Sequence, residues 1–145
     1  MWRMRVGNAQ RAVIAWYNPQ VNRLTRALKV IVPPDDIESV VACEGRESDA
    51  VILSLVRSND RAAIGFLNDP NRVNVAISRA KKLLVIVGDS KTVIGGAPEL
   101  FGPLLEHAKA DGLVVGVGAV VTACQRVGVR SQVQRLSRPR RGDRR

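Results

Sequence analysis

The chain alternates short, wholly apolar runs with stretches whose apolar residues recur at helical spacing. Residues 12–16 (AVIAW) form an uninterrupted apolar run and predict a buried strand. Asn18-Pro19 then opens a helix, with proline in the first turn, where its missing N–H has no intrahelical partner to lose. Val21, Leu24, Leu28 and Ile31 follow on one face, and Pro33-Pro34 ends the helix. Residues 39–43 (SVVAC) predict a second short strand, and the polar loop EGRESD follows it. Residues 50–56 (AVILSLV) read as a third strand, apolar on both faces, as in the middle of a parallel sheet covered by helices. After a polar loop, a helix is expected from Pro70 to about Ala80, then a fourth apolar strand over residues 83–89 (LLVIVGD). The stretch APELFGPLLEHAKADG reads as a helix stopped by Gly112, and LVVGVG beyond it as a last edge strand.

Strands alternating with helices imply an α/β domain with a mainly parallel sheet flanked by helices. The 145 residues suit one domain with a real core. Aromatic residues make up only 3% of the chain, so that core must be aliphatic. Charge changes the picture more. Of a formal +10, seven charges sit in residues 126–145, which hold eight Arg and one Asp. The basicity therefore belongs to a tail without apolar periodicity, for which disorder is expected. The expected organisation is an N-terminal stub (1–11), a domain (12–118) and a basic tail (119–145).

Cys43 and Cys124 form no CxxC pair and have no His nearby in sequence, which argues for a reducing compartment and against a structural zinc. No apolar h-region follows the arginines of residues 1–11, and the longest apolar run is too short and glycine-broken to span a bilayer. The expectation is a soluble intracellular protein, cytoplasmic or nuclear, with no membrane partner.

Two charged segments carry candidate chemistry. On the helix from Pro70, Val73, Ala76, Ile77 and Ala80 fall on one face, while Asn74, Ser78 and Lys81 lie opposite. Arg72 and Arg79 line one edge of the apolar stripe, where a guanidinium can reach out while its stem stays covered. That edge suits either an accurately placed cation or an arginine paired with surface carboxylates. In CEGRESD, Gly45 permits a positive-φ turn, and Arg46, Glu47 and Asp49 crowd a strand end. The loop is either a ligand contact, which parallel sheets place beyond the carboxyl ends of their strands, or a charged surface turn.

The wording of these segments resembles a known family. EGRESDAVILSLVRSND followed by IGFLNDPNRVNVAISRAKKLLVIVGD is similar to the last two motifs of superfamily 1 helicases, in the 5′→3′ branch of the nonsense-mediated-decay RNA helicase and senataxin-like proteins. VIAWYNPQVNRL resembles that family's motif IV, and the likeness runs from about Ala12 to Gly116. It implies a RecA-like domain of the P-loop NTPase superfamily, the second of a two-domain motor that binds ATP between its lobes and steps along single-stranded RNA or DNA. It implies that Arg79 is the catalytic arginine finger reaching the γ-phosphate, and that Glu47 contacts the ribose. It further implies that Gly45 lets the backbone approach the ligand, with Arg46 and Gln20 near nucleotide or strand phosphates. Lys81 is a candidate strand contact. Arg138, Arg140 and Arg141 of the tail are candidates for sequence-blind phosphate contacts on their charge alone. The chain departs from the family's usual motifs at Trp16, Val41, Cys43 and Glu44.

No GxxxxGK[ST] loop and no Asp-Glu pair occur in the sequence, so the cradle for ATP and Mg2+ would have to come from a first motor domain or a partner helicase. The chain alone is not expected to hydrolyse ATP, and no metal site is expected within it. The other reading is a non-catalytic, degenerate RecA-like module that binds nucleic acid or docks on a helicase.

Overall fold

A computed structural model of the chain describes residues 10–43 and 45–126. They fall into two compact units, one ending at His107 and one beginning at Ala108. The first is built on four strands, β1 (Arg11–Ala15), β2 (Ile37–Ser39), β3 (Ser48–Ser54) and β4 (Ala80–Val87). Their order is β2-β1-β3-β4, and every neighbouring pair is parallel. Helix α1 (Asn18–Leu28) follows β1, α2 (Pro70–Ser78) precedes β4, and α3 (Ser90–Gly96) and α4 (Pro98–Ala110) follow it. Parallel pairing demands crossovers; α1 lies in the one from β1 to β2 and α2 in the one from β3 to β4, while no described helix lies between β2 and β3. The α/β class with a parallel sheet is the one the apolar pattern implies.

The core lies mainly on one face of the sheet. Val51, Leu53 and Leu55 point into it from β3 and the residue beyond, and meet Ile64, Leu67, Val73, Ala76, Val93, Ala97 and Phe101. The spacing of Val73 and Ala76 thus buries one side of α2, as its period requires. On the opposite face α1 lies over β1 and β2. The β3–β4 half of that face is open: Ile52, Leu83, Val85 and Val87 are between 40% and 50% exposed. The expectation that β3 is covered on both sides therefore holds on one side only.

Several boundaries differ from those expected, each for a local reason. The second strand is Ile37–Ser39 rather than residues 39–43. The Ser39 carbonyl accepts the N–H groups of both Ala42 and Cys43, which turns the chain before the ladder can extend. Helix α1 stops at Leu28, whose carbonyl accepts from Ile31 and Val32 ahead of the two prolines that bar further helix. Helix α2 stops at Ser78 because residues from Ala80 onward pair with β3. The last expected strand does not form. In the second unit Gly112, at φ +67°, closes α4 by donating to Lys109, and residues 117–126 are helix α5 (Val117–Arg126) rather than strand. Of the tail expected over 119–145, residues 119–126 belong to α5, and the rest lies outside the described residues. No helix among the described residues is long and apolar enough to cross a membrane.

One polar cluster ties the loop after β3 to α3. The Asp89 carboxylate caps α3 by accepting from Lys91 N–H, and accepts from the Ser58 and Thr92 hydroxyls at 2.8 and 3.0 Å. Buried Thr92 also accepts from the Asn59 N–H at 2.9 Å. The Ser58 hydroxyl bond, then that of Thr92, holds the Asp89 carboxyl below its ordinary 3.8. A carboxyl lowered in this way adds stability above its ordinary value, and the contribution fades as pH falls through the lowered folded value. The urea midpoint should therefore drop on acidification below about pH 4. Asp89→Asn should lower the midpoint at neutral pH and flatten part of that acid drop.

Candidate functional site

Every strand is parallel, so the sheet has an amino edge and a carboxyl edge, and the candidate residues distribute between them. Gly45, Arg46 and Glu47 lead into β3, and Arg79 leads into β4. The starts of these two strands are fastened together: Ser48 N–H donates to the Arg79 carbonyl at 2.9 Å, and Ser48 pairs with Ala80. Gly45 has φ +79°, the left-handed conformation that makes glycine the suitable residue for this turn. Arg46 reaches Glu38 on β2 at 3.0 Å, Lys81 reaches Glu47 at 3.5 Å, and Lys82 reaches Asp49 at 2.9 Å. The hydrogen bond from Lys82 is the chief cause holding the Asp49 carboxyl below its ordinary value.

Arg46, Glu47 and Ser48 border an open pocket of about 400 Å³, whose other lining residues are Gln10, Arg11 and Asp36. Two arginines and two carboxylates line it, so phosphate and hydroxyl groups both find partners of suitable charge. Arg79 stands at the carboxyl terminus of α2, half-buried, with its guanidinium turned back on the helix. Its Nε donates to the Val75 carbonyl at 3.1 Å and its Nη2 to the Ser78 hydroxyl at 3.1 Å. A cation there is favoured by the partial negative charge of the helix end. Neither partner is a carboxylate, so no ion pair among the described residues holds the arginine back.

The structure thus brings Gly45, Arg46, Glu47, Arg79 and Lys81 to one edge, the amino edge. The carboxyl-edge crevice suggested for the CEGRESD loop is not where it lies, because β2 ends before that loop and the loop leads into β3. Gln20, in the first turn of α1 after β1, stands at the opposite edge. Lys81, a candidate strand contact, faces Glu47 beside the pocket. Arg138, Arg140 and Arg141 lie outside the described residues. Gln10, Arg11 and Asp36 were not legible as pocket walls in the sequence. They precede or begin strands that sit side by side only once the parallel register is known.

Residues 3–91 match the family described as AAA domain, and the chain belongs to that family, among the helicases of the nonsense-transcript-regulator and senataxin group. The ATP-dependent helicase NAM7 of Saccharomyces cerevisiae is 40% identical over 131 residues, which is 90% of this chain and 13% of that protein. The DNA polymerase alpha-associated DNA helicase A of Schizosaccharomyces pombe is 39% identical over 110 residues, or 76% of this chain and 16% of that one. The regulator of nonsense transcripts 1 homolog of Drosophila melanogaster is 57% identical over 74 residues, 51% of this chain and 6% of that protein. The chain therefore spans only a small part of the length of these relatives. The parallel α/β sheet flanked by helices is consistent with a RecA-like domain of a helicase.

Proposed function

We propose that this chain is the second RecA-like lobe of a superfamily 1, ATP-dependent helicase, and that its amino edge faces a nucleotide held by a first lobe. The observation that carries the reading is the side-by-side placement of the Gly45–Glu47 turn and the α2–β4 junction at Arg79. Glu47 and Arg79 thereby flank a polar, open edge from two different segments. ATP fits this edge by donor type: a carboxylate for ribose hydroxyls, guanidinium and ammonium groups for phosphates. ATP bound with Mg2+ on the facing lobe would supply the scissile phosphoryl group, and the phosphate cradle and metal ligands are assigned to that lobe.

On closure of the lobes, Arg79 swings off Val75 and Ser78. The helix offers only neutral acceptors, whereas a triphosphate offers a planar, bidentate anionic partner, so the exchange is favourable once the ligand is near. Its charge then stabilises the transferring phosphoryl group. Glu47 leaves Lys81 to accept from ribose hydroxyls, and Lys81 becomes available to phosphate. Single-stranded nucleic acid is the track, and the basic tail adds sequence-blind phosphate contacts.

The test is ATP turnover by the two-lobed protein that contains this chain, in the presence of single-stranded RNA or DNA. Strand-stimulated turnover is expected. Its absence would leave the non-catalytic binding or docking module as the reading. Within an active protein, Glu47→Ala should raise KM for ATP about tenfold, the loss of a hydrogen bond to a charged group, with a much smaller change in kcat.

A further inference from the structure

The amino edge holds a second carboxylate–ammonium pair that the nucleotide reading does not use. Ser48 pairs with Ala80 and Ala50 with Leu83, so the register of β3 against β4 slips by one residue between them. Two residues of β4, Lys81 and Lys82, therefore stand opposite one residue of β3, Asp49. This is a β-bulge, a feature that re-aims side chains and is common next to active sites. In a regular strand consecutive residues point to opposite faces. Here consecutive lysines reach two carboxylates that stand two positions apart at the start of β3, Lys81 to Glu47 and Lys82 to Asp49. The bulge has brought two neighbouring ammonium groups to one side.

The two pairs are unequal. Lys82 meets Asp49 at 2.9 Å, and the Asp49 side chain is only 22% exposed; Lys81 meets Glu47 at 3.5 Å, with both side chains 51% exposed. Asp49 is engaged at both oxygens: Oδ1 takes Lys82, while Oδ2 accepts the Gln10 N–H at 3.2 Å. The Ala50 N–H donates in turn to the Gln10 carbonyl, so the residue before β1 is held to β3 through both of its backbone polar groups. Gln10 and Arg11 are walls of the pocket that Glu47 borders. One carboxylate thus fastens the starts of β1, β3 and β4. Glu47, by contrast, has Lys81 as its one ion-pair partner among the described residues.

This inequality decides which charge is free to move. When Lys81 leaves Glu47 for phosphate, a second ammonium stands one residue away. A loose Lys82 would take the vacated carboxylate and occupy the acceptor needed by the ribose hydroxyls. Held by a less exposed carboxylate at shorter range, Lys82 stays in place. We propose that Asp49 is a positioning residue for the nucleotide edge: it binds Lys82 and the Gln10 N–H at its two oxygens, and so keeps Glu47 clear of every ammonium but Lys81. The inference rests on the reading of this edge as the nucleotide site, and it adds a residue that touches neither ATP nor the reacting atoms. The loose pair opens to ligand; the tight pair does not.

Two measurements test the role, and the first needs no motor. Brief acetylation of the chain with acetic anhydride, mapped by peptide mass spectrometry, compares the two lysines. The Lys82 side chain is 70% exposed and that of Lys81 51%, so exposure alone makes Lys82 the faster to react. With Asp49 holding it, Lys82 should react more slowly than Lys81, and Asp49→Asn should raise its rate about two- to fivefold. Asparagine keeps the size of the side chain but has a single acceptor oxygen for two partners. A Lys82 that reacts faster than Lys81 in the native chain, or at a rate that Asp49→Asn leaves unchanged, would overturn the proposal.

The second measurement is steady-state ATP turnover by the two-lobed protein. Asp49→Asn should raise KM for ATP about two- to fivefold with kcat nearly unchanged, and adding Lys82→Met should return KM towards the native value. Lys82→Met keeps the apolar stem and removes the competing ammonium. That rescue separates positioning from plain structural support, because a carboxylate needed only for folding is not repaired by a second substitution. A KM that Asp49→Asn leaves unchanged, or a rise that Lys82→Met does not reverse, would refute the role of Asp49 while the native protein still turns over ATP. A native two-lobed protein without turnover is the separate failure of the nucleotide reading, and it removes this role even where the lysines acetylate as expected.

Discussion

Arg79→Ala should lower kcat for ATP hydrolysis by about a thousandfold or more in the two-lobed protein, with little change in KM. The size follows from what the guanidinium does. In the resting lobe it makes two hydrogen bonds to neutral acceptors on its own helix, so its removal costs little folding energy. A substitution at a partly exposed position of this kind usually changes stability by no more than about 0.5 kcal/mol. At the transition state the same group would meet charge spread over phosphoryl oxygens in a site that water has left, where a cation is worth far more. Arg79→Lys should recover little, because an ammonium on a flexible stem does not reproduce the planar fork. Steady-state kinetics of the two variants, beside urea unfolding of each, separates a lost finger from a lost fold. An Arg79→Ala protein that turns over at the normal rate would remove the arginine from the chemistry.

Leu67→Ala should destabilise the first unit by about 2–5 kcal/mol, the range for emptying a buried leucine site. Leu67 is fully buried and packs in the cluster beneath β3 with Ile64, Val73 and Ala76. Measured against the roughly 5–15 kcal/mol that holds a typical domain together, that is a large fraction. The urea midpoint should fall with the m-value unchanged. Phe66→Ala, one residue earlier on the same helical turn, should change stability by less than about 0.5 kcal/mol, since most of that ring already faces water.

The apolar runs made much of this architecture legible. β1, β3 and β4 each contain a continuous run of Val, Ile, Leu and Ala, and α2 shows its buried side at Val73 and Ala76, so the α/β class follows from period alone. The run at 39–43 misled for the opposite reason: Val40 and Cys43 are indeed buried, but as parts of a turn secured by Ser39, and burial does not require a strand. LVVGVG misled in the same way, because a short apolar run with glycines carries no period strong enough to separate strand from helix. The open half of the sheet could not be read from Ile52 or Val85, whose apolar character is the same covered or uncovered.

The candidate site was legible only through wording. Glu47 and Arg79 are distant in sequence and become neighbours through the parallel register of β3 and β4. Spacing along α2 left open a placed cation or a surface ion pair for Arg72 and Arg79; Arg72 pairs with Asp69, whereas Arg79 bonds the Val75 carbonyl and the Ser78 hydroxyl. The contacts of Tyr17 with Arg57 and Phe66 beyond the carboxyl ends of β1 and β3 were invisible in advance. Tyr17, Arg57 and Phe66 come from three segments, and nothing in local period reveals that a γ-turn at Val56 will fold an arginine onto a tyrosine.

The proposed motor depends on an arginine that acts only when a charged phosphoryl group develops across the cleft. Its sharpest test is the affinity of the two-lobed protein for ADP with aluminium fluoride, a mimic of the transferring phosphoryl group, relative to ADP alone. Aluminium fluoride should tighten binding strongly in the native protein, and Arg79→Ala should abolish most of that gain while leaving ADP affinity nearly unchanged. Equal tightening in both proteins would contradict the role assigned to Arg79.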